Sequence, residues 1–127
     1  TGVGKEFIIF NYDALEMYRS VYICEGALNA LTIGDRGIAT MGKVVSKYQL
    51  NELIKAPCQR YIILLDFDAQ KYAIELALKL IQYKKVKLVL FEDNRDVNDL
   101  GRKAVLKKVY ETRYATYQGL IKLKNSL

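Results

Sequence analysis

The chain has no histidine, a single proline and two cysteines in 127 residues. Without histidine there is no Ser-His-Asp triad, no imidazole base and no His-ligated zinc. Two cysteines are too few for a Cys-rich zinc site or a disulfide framework. The longest strictly aliphatic run, Ile62 to Leu65, falls far short of the ~20 residues that a membrane helix requires. No segment has the charged start, apolar core and small-residue cleavage site of a signal peptide. The expected location is the cytoplasm, with no membrane partner and with both cysteines reduced. Chemistry in this chain must therefore come from carboxylates, lysines, hydroxyls or a metal held by oxygen.

What remains is a folded chain of one domain's length, 51% hydrophobic and 27% charged, too apolar to be a disordered tail. Twenty lysines and arginines stand against 14 acids, a formal charge of +6. That surplus fits a nucleic-acid or nucleotide partner, and it equally fits the ordinary demands of solubility. The first residue is Thr1 rather than Met, so a fragment of a longer chain is expected.

Short apolar runs alternate with helical patterns. Val21–Cys24 reads as a buried strand, followed by helix formers over Ala27–Ile33; Gly37–Thr40 is a weaker strand, followed by a helix through Tyr48, Leu50, Leu53 and Ile54 that stops near Pro57. Tyr61–Leu65 is the strongest strand, and Ala73, Leu76, Ala77 and Leu80 after it fall at the i, i+3, i+4, i+7 spacing of an amphipathic helix. Val86–Phe91 is the fourth strand. Continuous apolar strands alternating with helices predict an α/β fold, an open parallel sheet of about four strands covered on both faces. Phe7–Phe10 in the N-terminal extension (1–19) is expected to add an edge strand, and a long helix is expected from Arg102 to Leu127, its part over 107–127 lying beyond the body of the domain. Along it Leu106, Tyr110, Tyr117, Leu120 and Leu127 recur at helical spacing; the stripe reads as a packing face, on this domain or on a missing neighbour, rather than as a nucleic-acid stacking surface. Cys24 and Cys58 fall at opposite edges of such a sheet, so no disulfide is expected.

In an open parallel sheet ligands bind at the carboxyl ends of the strands, and acids fall there. Glu25-Gly26 closes the first strand, Asp66-Phe67-Asp68 the third, and Asp93, Asp96 and Asp99 lie in the loop after the fourth. A 2-1-3-4 strand order sets Glu25 opposite the Asp66/Asp68 pair. In an extended stretch alternate side chains share a face, so Asp66 and Asp68 should point together while Phe67 turns into the body. Two carboxylates there suit a hard cation such as Mg²⁺, which takes oxygen ligands and keeps waters for exchange with phosphates. Gly26 leaves room for backbone or phosphate beside Glu25. Gly2-Val3-Gly4-Lys5 has the look of a P-loop end, yet Glu6 replaces the Ser/Thr and no strand precedes it.

Four segments now stand in order: Glu25-Gly26-Ala27-Leu28-Asn29-Ala30-Leu31, Gly37-Ile38-Ala39-Thr40-Met41-Gly42, Asp66-Phe67-Asp68 and Arg95-Asp96-Val97-Asn98-Asp99-Leu100. Together they resemble a Toprim domain, the module shared by bacterial and phage primases, topoisomerases and certain nucleases, over residues 20–106. The last segment and the Ala-Leu ending of the first are most similar to the catalytic domains of DNA primases. Two positions depart from the pattern: Asn29 replaces the usual Asp of the opening motif and reads as structural or helix-capping, and Ala69-Gln70-Lys71 replaces the x-Ala-Gly after Asp-x-Asp, setting a lysine beside the site.

The resemblance implies nucleotidyl transfer that makes RNA primers on a single-stranded DNA template from nucleoside triphosphates. It implies Glu25 as general base or acid, and Asp66, Asp68, Asp96 and Asn98 around Mg²⁺, with Mn²⁺ as a substitute. Lys43, Lys71 and Arg95, with Gly26, become candidates for contacts to nucleotide or nucleic acid. It also implies flanking domains in a parent chain, a helicase being one candidate, that are needed for activity. The alternatives are a Toprim nuclease or topoisomerase module cleaving phosphodiesters, and a non-catalytic binding module.

Overall fold

Four short strands, Ser20–Cys24 (β1), Gly37–Ala39 (β2), Arg60–Leu64 (β3) and Lys85–Leu88 (β4), pair in parallel in the order β2-β1-β3-β4. The computed structural model describes residues 4–127. Register is continuous across the sheet: Ile23 lies level with Ile38 and Ile63, and Ile63 with Leu88. The helices between the strands are Ala27–Ile33 (α2), Lys47–Lys55 (α3) and Gln70–Leu80 (α4), preceded by a one-turn helix, Ala14–Met17 (α1).

Because strand side chains alternate, the sheet feeds two cores. Val21, Ile23, Tyr61, Ile63, Val86 and Leu88 pack with α3 and α4 on one face; Cys24, Ile62 and Leu64 pack with α2 on the other. Both cysteines are buried and free. The predicted residues of α4, Ala73, Leu76, Ala77 and Leu80, are the ones it buries. Helix α2 lies so close to β2 that a Cβ on Gly37 would stand 2.4 Å from the Ala30 carbonyl oxygen. A capping box starts α3, with the Ser46 side chain accepting from Gln49 N and the Gln49 side chain accepting from Ser46 N.

Two elements differ from the sequence expectation. Phe7–Phe10 is not a strand: Lys5–Phe7 is a 3-10 turn and only Phe10 bridges to Ala39, antiparallel. The carbonyls of Lys5 and Ile8 accept from the buried Gln49 amide, and Asn11 at φ 59° then turns the chain away. The short P-loop-like motif includes Gly2 and Val3, which lie outside the described residues.

The C-terminal helix comes in pieces. After the single turn Val97–Leu100 (α5), Arg102–Glu111 (α6) packs Val105 and Val109 on the α2 side, and Tyr117–Ser126 (α7) packs Leu120 on the α4 side. Between them the chain crosses the outer edge of β4, where Ala115 N donates to Val86 O at 2.7 Å. Thr116 then caps α7 by accepting from Gly119 N. Of the predicted packing stripe, Leu120 is buried on this domain, whereas Tyr110, Tyr117 and Leu127 are 87%, 58% and 67% exposed. Among the described residues no helix is long and apolar enough to cross a membrane.

Candidate metal centre

Cys24 is level with Leu64 in the β1–β3 pairing, so the chain leaves both central strands at the same height, with Glu25 and Asp66 just beyond them. Asp66 is still extended, and the 3-10 turn Phe67–Ala69 follows it, closed by Ala69 N donating to Asp66 O at 2.9 Å. This turn, rather than strand alternation, brings Asp68 back toward Asp66. It also reverses the expected burial: Phe67 is 39% exposed and Ala69 fills the interior position.

Glu25, Asp66 and Asp68 each offer a carboxylate oxygen, all within 4.8 Å of one another. Glu25 Oε1 is buried with no hydrogen-bond partner, a condition that is expensive for a carboxylate and calls for a cation or a proton. Burial, and then the charges of Asp66 and Asp68, push the Glu25 carboxyl above its ordinary range, with Lys43 opposing. Asp66 is raised in the same way by burial, then by Asp96, Asp68 and Asp99. Cys24, directly beneath, is pushed up to about 12 by burial and then by Asp66 and Asp96, so it stays a thiol and offers no thiolate ligand.

Around these acids the other expected site residues divide. Lys43 Nζ lies 3.9 Å from Asp68 Oδ2. Gly26 is the N-cap of α2, and a Cβ there would meet nothing within 4 Å, so the space beside Glu25 is open. Asp96 is near enough to raise Asp66, but its Oδ1 accepts from Asp99 N at 2.8 Å to cap α5, and it stands outside the three-carboxylate group. Asn98 accepts from Thr32 Oγ1 through its side chain at 3.0 Å. Arg95 is exposed and held in a two-pronged pair with Asp93, which lowers the Asp93 carboxyl. Lys71 is exposed on the first turn of α4.

Asn29 has a larger part than the sequence indicates. It is 5% exposed, its Nδ2 donates to Asp66 Oδ1 at 3.3 Å, and its Oδ1 accepts from Asn98 N at 3.1 Å. It therefore ties Asp66 to α5. The signal was present: Asn29 lies one turn after Glu25, on the face of α2 that also buries Ala30 and Ile33. Gln49 is a second such residue, its amide donating to the carbonyls of Ile8 and Thr40 at 2.7 Å each and anchoring the segment that carries Lys43.

Oxygen donors alone, a crowded set of raised carboxyls and one orphaned carboxylate oxygen fit a hard divalent cation. Fold and site together define a class: a parallel α/β domain with an acidic, oxygen-ligand centre at the carboxyl ends of its two central strands. Among solved structures this chain is similar to the catalytic cores of primases. The Aquifex aeolicus primase, in its zinc-binding and RNA polymerase domains, matches 89% of this chain at 16% identity with a TM-score of 0.73. The E. coli primase catalytic core matches 98% at 17% identity and 0.72, and the DnaG primase catalytic domain bound to ssDNA matches 98% at 17% and 0.73. The likeness to primase catalytic domains drawn from the motifs is thus also the likeness of the fold. This chain spans 32% of the first of those structures and 44% of the other two. No family model matches the sequence, and no curated protein matches it.

Proposed function

We propose that the chain is the Toprim catalytic domain of a DNA primase of the phage or plasmid kind, joining nucleoside triphosphates into RNA primers on single-stranded DNA within a longer parent chain. One observation carries the reading: on a primase-core fold, Glu25 Oε1 is buried without a partner beside Asp66 and Asp68. Glu25, Asp66 and Asp68 are the residues to hold Mg²⁺, with Asp96 adding negative charge to the same pocket and Asn98 steadying it through Asn29. Bound there, the cation supplies charge compensation at phosphate and alignment for in-line displacement.

The chain's own residues supply the rest. Glu25, beside Asp66 and Asp68 with one carboxylate oxygen left without a partner, is suited to take the proton of the primer 3′-hydroxyl and release it to solvent. The 3′-oxygen then bonds to the α-phosphorus of the incoming nucleotide as pyrophosphate leaves. Lys43, next to Asp68, is the first candidate for contact with phosphate oxygens, with Lys71 and Arg95 as further ones, and Gly26 leaves space beside Glu25.

The test is calorimetric titration of Mn²⁺ into the wild type and into Asp66→Asn/Asp68→Asn. Binding in the wild type that weakens at least tenfold in the variant is expected. A wild type that takes up no metal at millimolar concentration, or a variant that binds as well, overturns the reading and leaves a binding scaffold. Primer synthesis by the parent protein separates polymerisation from phosphodiester cleavage at the same centre.

A further inference from the structure

The positive charge of this chain is segregated. Residues 102–127 hold seven basic residues against one acid, a surplus of six that equals the net charge of the whole chain, while residues 1–101 carry thirteen of each and are neutral. The surplus lies on α6, α7 and the link between them, which passes from one face of the sheet to the other over the edge of β4. Exposed aromatic rings sit among these charges. Tyr110, the most exposed, lies on the outward side of α6 with Lys103 and Lys107 two turns and one turn before it, and Tyr117 opens α7. Between them Tyr114 is flanked by Lys85 and Lys87 of β4, whose Nζ atoms lie 5.5 and 5.0 Å from the ring centroid.

We propose that α6, the link and α7 form a platform for single-stranded DNA, separate from the acidic centre. Cations alone would serve any polyanion, including an acidic protein. Large rings left in water beside them suit flat groups that arrive unpaired, as bases do in a single strand, and base–tyrosine stacking with a cationic track is the general mode of such binding. A duplex keeps its bases stacked on each other and offers the rings nothing. That the strand is DNA rests on the primase reading; the platform rests on the charge and ring placement.

The experiment measures anisotropy of a fluorescein-labelled oligo(dT) of about 20 nucleotides with the 127-residue chain, without added metal. Tyr110→Ala and Tyr117→Ala, which remove exposed rings and should melt as the wild type does, are each expected to weaken binding at least about fivefold. Lys103→Gln/Lys107→Gln should lower the slope of log affinity against log salt by about 1.4, the release from two single-strand phosphates. Asp66→Asn/Asp68→Asn should bind the strand no more weakly than wild type, so failure here and failure of the metal centre read separately. Ring variants that bind like the wild type, a duplex bound as tightly as the strand, oligo(rU) preferred over oligo(dT), or loss of binding only in the aspartate variant would each overturn the platform.

Discussion

Replacing Asn29 with aspartate changes one atom's chemistry and almost no volume, and the structure gives its consequence. Asn29 Oδ1 would still accept from Asn98 N, but an oxygen would face Asp66 Oδ1 where Nδ2 now donates at 3.3 Å. Two unit charges at that separation repel by about 1 kcal/mol in water and about 5 kcal/mol at the effective dielectric of a protein surface. Asp66 is only half-buried, which favours the lower part of that span, and the lost hydrogen bond adds about 1 kcal/mol. The metal-free variant should therefore be less stable by about 2–3 kcal/mol at pH 8, a fall of roughly 6–12 °C in melting temperature for a domain of this size. The deficit should shrink at pH 5, because the new carboxyl, pushed upward by Asp66, takes a proton and can donate again. Asn29→Ala loses both bonds without adding charge, so its deficit should change less with pH than that of Asn29→Asp. Thermal denaturation followed by circular dichroism in EDTA, with and without Mg²⁺, is the assay. An Asn29→Asp variant as stable as the wild type at pH 8, or one whose deficit ignores pH, would refute the link between Asn29 and Asp66.

The wild type has a pH dependence of its own. Glu25 and Asp66 both have raised carboxyls, so the folded state binds their protons more tightly than the unfolded state does. Their contribution to metal-free stability is then greatest at low pH and is lost as pH rises from about 4 through the folded values. Asp93, held low by Arg95, acts in the opposite sense only below that window. Mg²⁺ should add more stability at pH 8 than at pH 5, since it competes with those protons; equal gains at both would argue that metal binds elsewhere. Gly37→Ala should destabilise by about 1–3 kcal/mol, read from the urea midpoint, because its Cβ would meet the Ala30 carbonyl at 2.4 Å and neither backbone can yield alone.

Much of this architecture was legible because the two central strands are largely buried on both faces. Val21–Cys24 and Tyr61–Leu65 are continuous apolar runs and Val86–Phe91 is broken only by Lys87, so acids at their carboxyl ends stand out where the runs stop. A 2-1-3-4 strand order was the one that sets Glu25 opposite Asp66 and Asp68, and β1 and β3 are indeed neighbours. The Asp-x-Asp motif was readable as a pair, although its geometry comes from a 3-10 turn that alternation cannot foresee. Burial of a single oxygen, Glu25 Oε1, has no one-dimensional signature.

The C-terminal stripe is instructive in a different way. Leu106, Tyr110, Tyr117, Leu120 and Leu127 keep helical spacing across a break, since Tyr110 and Tyr117 are seven residues apart and the five residues 112–116 between the helices disturb the count without disturbing the pattern. The break itself had a signal in Thr112 and Thr116, whose side chains serve backbone ends better than helix interiors: Thr112 Oγ1 donates to Lys108 O as α6 stops, and Thr116 caps α7. Spacing identifies residues that can share a face and says nothing of what covers it. Leu120 is covered by α4, while Tyr110 and Tyr117 stand in water in the segment that holds a positive surplus equal to the chain's net charge. On the proposed reading, a centre of three carboxylates repels a polyanion until a cation is bound, and a basic, ring-bearing segment on its flank would supply the attraction that the centre lacks.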